Sequence, residues 1–517
     1  MILHTASIAI AAFLLFLLQP VVARLLLPGF GGSAAVWTTC LAFFQVALVA
    51  GYAYSDLVAR RLRPRRQVLV HAALMTASLA FLPLGLDGLA NAPGDRSPAL
   101  ALLLLLTGTI GLPYLVLSTT SPLVQSWAAR AGRGQGAYQL YAISNLLSLG
   151  ALLIYPTLIE PLAGSRQQSL AWSIGYGVFV AVTLVLCWRT LHGLPEDEAS
   201  PSSAPTALET VDSPKPDGRS QAVWFGLSML GSMLLLSISA HLTQDVAPIP
   251  MLWILPLTVY LLTFILCFDG RGWYWPRTFT LLGCVVVLLM LSGTLWSIWW
   301  AGDFRAIATV LKMAGSVPLH CIGLFVLCMF CHGELSRRRP EPSQLTRFYL
   351  MLALGGAAGG IAVGLLAPVL LNWYWELPFA LVLFTVFAVL ASKGWTRGFA
   401  VLACIGAVVL AGMRVNAVSG DAVLLERNFY GALRITEEKP ENAPGVVRSL
   451  MHGGILHGAQ AMWPEMSREP TAYYGRNSGV GRAIAILDEA RAGAPKRVGL
   501  VGMGIATLAT YGNPDDL

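Results

Sequence analysis

The sequence predicts a mainly α-helical polytopic membrane bundle of 12–13 spans, followed by a small soluble domain. Three observations predict it. Of the 517 residues, 56% are hydrophobic and 12% charged, too little charge to cover a water-soluble protein of this length. The apolar residues fall in runs of about 20, the length that crosses a bilayer core of roughly 30 Å. From Asp421 onward the runs give way to short β-type segments and turn residues.

Spans are expected near 5–27, 33–55, 67–87, 99–127, 137–159 and 168–188, then near 221–242, 248–268, 276–300, 306–331, 346–371 and 375–392. The first run has no small-residue cleavage pattern after it and reads as a retained span. A shorter run, Gly398 to Met413, is either a thirteenth span or an interfacial helix. Leu191 to Ser220 is rich in Pro, Ser and acids, has no apolar period, and reads as a flexible linker. The expected organisation is therefore a membrane half at 1–190, a linker at 191–220, a second half at 221–414 and a soluble domain at 415–517. Six spans on each side of a polar loop is the layout of major-facilitator transporters, whose halves are repeats. Trp37 precedes Phe44 in span two as Trp253 precedes Tyr260 in span eight. Tyr138 to Ser148 in span five likewise parallels Tyr349 to Gly359 in span eleven. These matches predict an internal duplication.

Basic residues cluster after even-numbered spans: Arg60, Arg61, Arg63, Arg65 and Arg66; Arg130 and Arg133; Arg271 and Arg277; Arg337, Arg338, Arg339 and Arg347; Lys393 and Arg397. This bias places the N-terminus in the cytoplasm of a chain in the plasma (inner) membrane, with the lipid bilayer as its partner. It also accounts for the net charge of +7 and gives no support to nucleic-acid binding. If Gly398–Met413 spans, the soluble domain lies outside the cytoplasm.

The eight cysteines lie mostly in apolar runs and form no disulfide framework. Cys328-Met-Phe-Cys331-His332 matches a haem-attachment pattern. It falls at the cytoplasmic end of span ten, the wrong side for that chemistry, and His320-Cys321 lies too far back to complete a metal cluster. No metal is assigned. Polar residues inside spans are costly in lipid and each needs a reason. They are Gln19 and Arg24 in span one, Gln45 in span two, Ser118 and Thr119 in span four, Asn145 in span five, and His241, Gln244 and Asp245 at the end of span seven. They serve either interhelical hydrogen bonding or, as a group, a path for a polar substrate; Pro20 and Pro122 can open backbone beside them.

In the soluble part, Ala422–Glu437 and Val446–Gln460 read as β-rich, with Pro440, Asn442, Pro444 and Gly445 between them. Gly479–Arg491 reads as a helix. Arg497–Val501 reads as a strand entering Gly502-Met-Gly504, a turn of the kind that opens a Rossmann-like α/β unit, here only partial. A single strand cannot form a sheet, so this unit is expected to be incomplete or poorly ordered.

The order Arg427-Asn-Phe-Tyr-Gly431, Leu450-Met-His-Gly453, His457-Gly-Ala-Gln460, Tyr473-Tyr474 and Val498–Thr507 resembles the start of spermidine synthases. The membrane segments Gln19-Pro20 to Arg24, Gly31-Gly-Ser33 to Trp37, Phe43-Phe-Gln45, Gly51-Tyr52, Ser144-Asn145, Cys331-His-Gly-Glu-Leu335 and Gly355-Gly356 to Gly359-Gly360 resemble the fused major-facilitator/spermidine synthase family. The resemblance implies transfer of an aminopropyl group from decarboxylated S-adenosylmethionine, as cosubstrate, to a diamine or polyamine. It implies Gln460, Gly502 and Gly504 as cosubstrate contacts and Tyr473 or Tyr474 on the amine side. This sequence departs from that pattern. Ile505 stands where the turn carries an acid, and His457-Gly458 where Asp-Gly precedes the glutamine. The carboxylates that would hold and deprotonate an amine belong to later strands, so the chain as written is expected to be inactive in the transfer, with its catalytic residues unknown. The alternative from the membrane half alone is a transporter of a small polar or cationic metabolite, with the soluble domain as a regulatory or vestigial appendage.

Overall fold

The computed structural model describes residues 2–85, 97–130, 136–192, 217–244, 250–268, 271–299, 305–340, 345–491 and 494–516. They form two compact units, one of 1–367 with 375–411 and one of 368–374 with 412–517.

The first unit is helical. Its elements are α1 (Ile2–Phe30), α2 (Ala34–Arg61), α3 (Pro64–Ser78), α4 (Pro98–Arg130), α5 (Gly136–Ile154), α6 (Ser165–His192), α7 (Gly218–Gln244), α8 (Pro250–Phe268), α9 (Pro276–Trp299), α10 (Arg305–Arg337), α11 (Leu345–Ile361) and α12 (Glu376–Ala391). Helix α13 (Trp395–Ser419) runs from this unit into the second. Among the described residues nine helices are long and apolar enough to cross a membrane, and Ile254–Phe268, Pro276–Ser292 and Glu376–Ala391 are shorter apolar helices. The chain is a multi-pass membrane protein. Helices α5 and α11 each pass through a wider turn, Tyr155–Ile159 and Ala362–Leu366, in which one backbone bond reaches a residue further than in an α-helix.

Two expected spans differ in length from what is found. The third, expected at 67–87, is helical only over Pro64–Ser78, with a single tighter turn at Leu79–Phe81. Pro83 cannot donate to a continuing helix and biases Leu82 to extended backbone, which Leu82 adopts. The thirteenth, expected over 16 residues, extends to 25. Hydropathy alone stops at Arg414, but that side chain is only 8% exposed and the helix continues past it. The linker at 191–220 is helical to His192 and from Gly218; its middle lies outside the described residues.

The packing repeats. In the first half, α1 packs on α2, α4, α5 and α6, α2 on α4, and α3 on α4 and α6. Adding six to these labels gives the second half: α7 on α8, α10, α11 and α12, α8 on α10, and α9 on α10 and α12; the first half also packs α4 on α5 and α2 on α3, without an equivalent of like extent in the second. The pairs that join the halves exchange in the same way. Helix α2 meets α11 and α7, while α8 meets α5 and α1. The fold is therefore duplicated, as the paired sequence spacings predict.

Glycines set how closely α11 approaches its neighbours. A Cβ at Gly355 would lie 2.3 Å from the Phe225 carbonyl oxygen, and one at Gly359 would lie 2.5 Å from that of Met229, both on α7. A Cβ at Gly364, on the other face, would lie 2.7 Å from the Thr38 carbonyl oxygen of α2. Only glycine permits this backbone contact between membrane helices. Ser228 adds a hydrogen bond, its Oγ donating to the Leu352 carbonyl at 2.6 Å.

The second unit contains an antiparallel meander, β1 (Ala422–Asn428), β2 (Gly431–Glu438), β3 (Val447–His452) and β4 (Ile455–Ala461), in the order β1-β2-β3-β4. Each expected β-rich stretch is thus a hairpin. The register pairs Ile435 with Leu450 and Leu450 with Gly458. Helix α14 (Gly479–Ala490) is capped by Ser478, whose side chain accepts from the Gly481 amide. The expected Rossmann-like unit is not formed. Arg497–Val501 pairs with no strand, Val501 is fully exposed, and the glycine turn leads into one short turn of 3₁₀ helix at Thr507–Tyr511. An isolated strand leaves its backbone groups to water and buries nothing, so nothing favours it.

Candidate functional site

A polar contact between membrane helices joins the two halves. Gln45 on α2 donates from Nε2 to Ser232 Oγ on α7 at 2.8 Å, and its Oε1 sits 1.9 Å from where Gly360 on α11 would carry a Cβ. One amide thus touches three helices of both halves, and the absent side chain at Gly360 is what admits it. Gln19 on α1 is 5% exposed and reaches the Tyr114 hydroxyl on α4. Among the described residues, Oε1 of Gln19, Oε1 of Gln45, Oγ1 of Thr39, Oγ of Ser239, Oγ1 of Thr258 and Nε2 of His332 are buried without a hydrogen-bond partner. These atoms lie on α1, α2, α7, α8 and α10. Buried polar atoms left unsatisfied are few in native proteins and call for a functional reason.

His332 shows how such an atom is presented. Thr263 Oγ1 donates to the Tyr260 carbonyl at 2.7 Å, so its one hydrogen is used. The 3.0 Å contact to His332 Nδ1 is then donated by the imidazole, leaving a lone pair on Nε2. Tyr260 and Phe264 stand edge-on to the ring at 4.7 and 4.9 Å, and Nε2 lies 3.4 Å from where Gly231 on α7 would carry a Cβ. The sequence singled out His332 in a haem-attachment pattern and in the family-resembling Cys331–Leu335 segment. Among the described residues no three metal-ligating side chains cluster, and Cys328 and Cys331 are free thiols in the core of α10.

The other expected path residues have varied surroundings. Ser118 Oγ and Thr119 Oγ1 donate back to Leu115 and Val116 of their own helix. Ser118 lies against Gly51, and Ser55 donates to the Thr119 carbonyl at 3.3 Å; together they fasten α4 to α2. Arg24 donates to the Glu160 carbonyl at 3.1 Å and lies 3.9 Å from its carboxylate, tying α1 to the end of α5. Asn145 is half-buried on α5. His241 meets His320 of α10 with ring centroids 4.5 Å apart. Gln244 ends α7, its side chain outside the described residues, and Asp245 lies outside them altogether.

A buried carboxylate went unrecognised in the sequence. Glu334, near the end of α10, accepts from Tyr274 at 3.0 Å and pairs with Arg337 at 2.7 Å and Arg338 at 3.0 Å. The sequence signals were its place in the family-resembling Cys331–Leu335 segment and an acid three and four residues before two arginines on one helix.

In the second unit the residues assigned by family resemblance gather around β4. Gln460 donates its amide to the Ser467 carbonyl at 3.0 Å, and Tyr473 donates to the Leu456 carbonyl at 3.3 Å. The rings of Tyr473 and Tyr474 lie tilted, with centroids 4.4 Å apart; a side-chain hydrogen bond with Tyr474 pushes the Tyr473 phenol up from its ordinary value. Gly502 and Gly504 have left-handed backbone, and Gly504 sits beside the His457 carbonyl. Ile505 packs on Gly458. The residue after the turn thus packs on β4, while a Cβ at Gly502 would meet open space. Lys496, beneath it, is held by Asp488, Asp516 and the Tyr511 carbonyl. The Asp488 hydrogen bond raises its ammonium pKa above the ordinary lysine value.

No protein-family model matches the chain, and no curated protein matches its sequence. Solved structures of loosely similar fold include the nucleoside transporter NupG, at 15% identity and TM-score 0.44 over 79% of this chain and 98% of that one. A D-xylose–proton symporter matches at 14% and 0.45 over 76% and 98%. A POT family transporter in complex with 5-aminolevulinic acid matches at 14% and 0.44 over 80% and 96%.

Proposed function

We propose that this chain is a transporter of a small polar solute across the plasma membrane, working by motion of its two six-helix halves about a central site. The observation that carries the reading is the duplicated packing, in which the contacts joining the halves exchange under the same rule that relates the halves themselves. Such repeats place substrate near the midplane at the repeat interface, and alternate access by rocking one half against the other. The unsatisfied polar atoms of Gln19, Gln45, Ser239 and His332 supply hydrogen-bonding capacity inside the bundle, which suits a hydroxylated or amine-bearing solute such as a polyamine.

The test is uptake and exchange by the full chain in liposomes, across a panel of nucleosides, pentoses, amino acids and diamines. Uptake of one class, reduced at least about tenfold in Gln45→Leu, is expected, since a site built to hydrogen-bond its substrate loses at least that much when a partner is removed. A protein that moves none of the panel sinks the reading. Aminopropyl transfer from decarboxylated S-adenosylmethionine has less behind it: Gln460 is engaged by Ser467, and Ile505, where the family pattern has an acid, packs on Gly458.

A further inference from the structure

Helices α7 and α10 bring two imidazoles together inside the bundle. The ring centroids of His241 and His320 lie 4.5 Å apart, with 42° between the planes, and His320 is 2% exposed. Nδ1 of His320 lies 2.8 Å from the carbonyl oxygen of Ser316 and 3.2 Å from Ser316 Oγ, one turn earlier on α10. A carbonyl can only accept, so Nδ1 carries the hydrogen, and the lone pair of neutral His320 is on Nε2. Ser316 therefore fixes the tautomer and the ring orientation, and presents a basic nitrogen in the interior beside a second imidazole.

We propose that His241 and His320 together form a proton-binding site that holds one proton per pair and serves as the site of the coupling ion; the coupling role rests on the transporter reading. The step is a simple addition. A proton from the aqueous side bonds to a ring-nitrogen lone pair, and the pair passes from neutral to a single positive charge shared with its neighbour. A second proton is opposed by the first charge at this separation in a poorly polarisable interior, so the pair titrates in two separated steps. Ionisable side chains within spans mark proton relays and ion pathways. This pair sits where a proton could act on the cycle, because α7 contacts both α2 of the first half and α11 of its own.

The helices packed on α7 and α10 bring few other ionisable groups to this end of the bundle. They are Cys40 on α2, Cys321 next to His320, and Glu376 at the start of α12. Asp245 after α7, and the side chains of Arg305 and Lys312 on α10, lie outside the described residues. A metal is the less favoured ligand, since no third ligating side chain joins the two among the described residues.

The experiment is a pH titration of the full chain in liposomes by ¹⁵N-histidine NMR, with the signals of the eight histidines assigned through His241→Gln and His320→Gln. His320→Asn, which is shorter and still polar, replaces the second variant if that one does not fold. The expected result is a first proton shared by both rings, with either substitution moving the midpoint of the remaining histidine by more than about one pH unit. Independent midpoints, unmoved by the other substitution, or two rings that never titrate, overturn the proton site. For coupling, His320→Gln is expected to retain solute exchange while losing accumulation driven by an acid-outside gradient; accumulation at the wild-type level overturns that role. If the wild-type chain moves no solute, the transporter reading falls and with it the coupling role, while the titration by itself decides the proton site.

Discussion

Glu334 is the residue whose surroundings leave the least freedom. Its carboxylate is 3% exposed and takes hydrogen bonds from Tyr274 and Arg337 and a close ion pair from Arg338. Gly333 beside it has the Tyr274 ring 2.2 Å from its Cβ position, so the tyrosine has no other place to lie. Glu334→Gln keeps the shape and removes the charge. It is expected to lower bundle stability by about 2 kcal/mol, the worth of one charge-assisted hydrogen bond. The loss is no larger because Arg337 and Arg338 are half-exposed and recover water. Unfolding in detergent, followed through tryptophan fluorescence, measures it. In the sequence Glu334 stands out only within the family-resembling Cys331–Leu335 segment, because nothing local announces that Tyr274, sixty positions earlier, closes over it. His452 gives a second residue-scale test. Burial, aided by the neighbouring His457, holds its imidazole pKa below the ordinary value, and the Tyr430 backbone contact only partly opposes this. The folded unit thus binds this proton less readily than the unfolded chain. The stability it contributes is complete above the ordinary imidazole value of about 6.5 and is lost as pH falls below it. Melting of the C-terminal unit followed from pH 8 to pH 5 should show this loss, and His452→Gln should flatten it.

At the scale of elements, apolar run length located the helices well, and packing decided where they end. Helix α13 outlasts its hydropathy because Arg414 is buried rather than solvated. Helix α3 falls short because Pro83 follows it. The 497–501 segment had a strand's composition without a strand's neighbours, and neighbours are what a single stretch of sequence cannot display. The glycine pairs of α11 were visible in the sequence as family resemblance only; their geometry gives the reason for them. A methyl group at Gly359 would meet the Met229 backbone at 2.5 Å, and backbone cannot rotate away. Gly359→Ala is therefore expected to destabilise the bundle by about 1–3 kcal/mol, the range for overpacking. This opposes the gain of about 1 kcal/mol that alanine normally brings to a helix interior. Gly398→Ala on α13, where the Cβ meets open space, is the control and should not destabilise. Thermal denaturation of both variants separates close packing from helix propensity.

For the whole molecule, the duplication was legible in a handful of spacings, yet the polar contact that joins the halves was not, since the partner of Gln45 lies 187 residues away in an apolar run. What remains decisive at this scale is the number of crossings. Basic residues follow α2, α4, α8, α10 and α12, and the positive-inside bias predicts those ends in the cytoplasm. Helix α3 is 15 residues, about 22 Å at 1.5 Å per residue, and crosses only with its following turn; α13, at 25 residues, is about 37 Å and crosses with room to tilt. If both cross, the segment after α3 and the β-meander lie outside, while the linker between α6 and α7 lies inside. A phosphatase active only outside and a fluorescent protein that matures only inside, inserted in turn at residues 86–96, 193–216 and 439–445, read this directly. Phosphatase activity at the first and third sites and fluorescence at the second are expected. Fluorescence at 439–445 with phosphatase activity at 86–96 would make α13 an interfacial helix. It would leave the meander in the cytoplasm, where S-adenosyl compounds are made, and would strengthen the enzymatic reading at the expense of an external appendage.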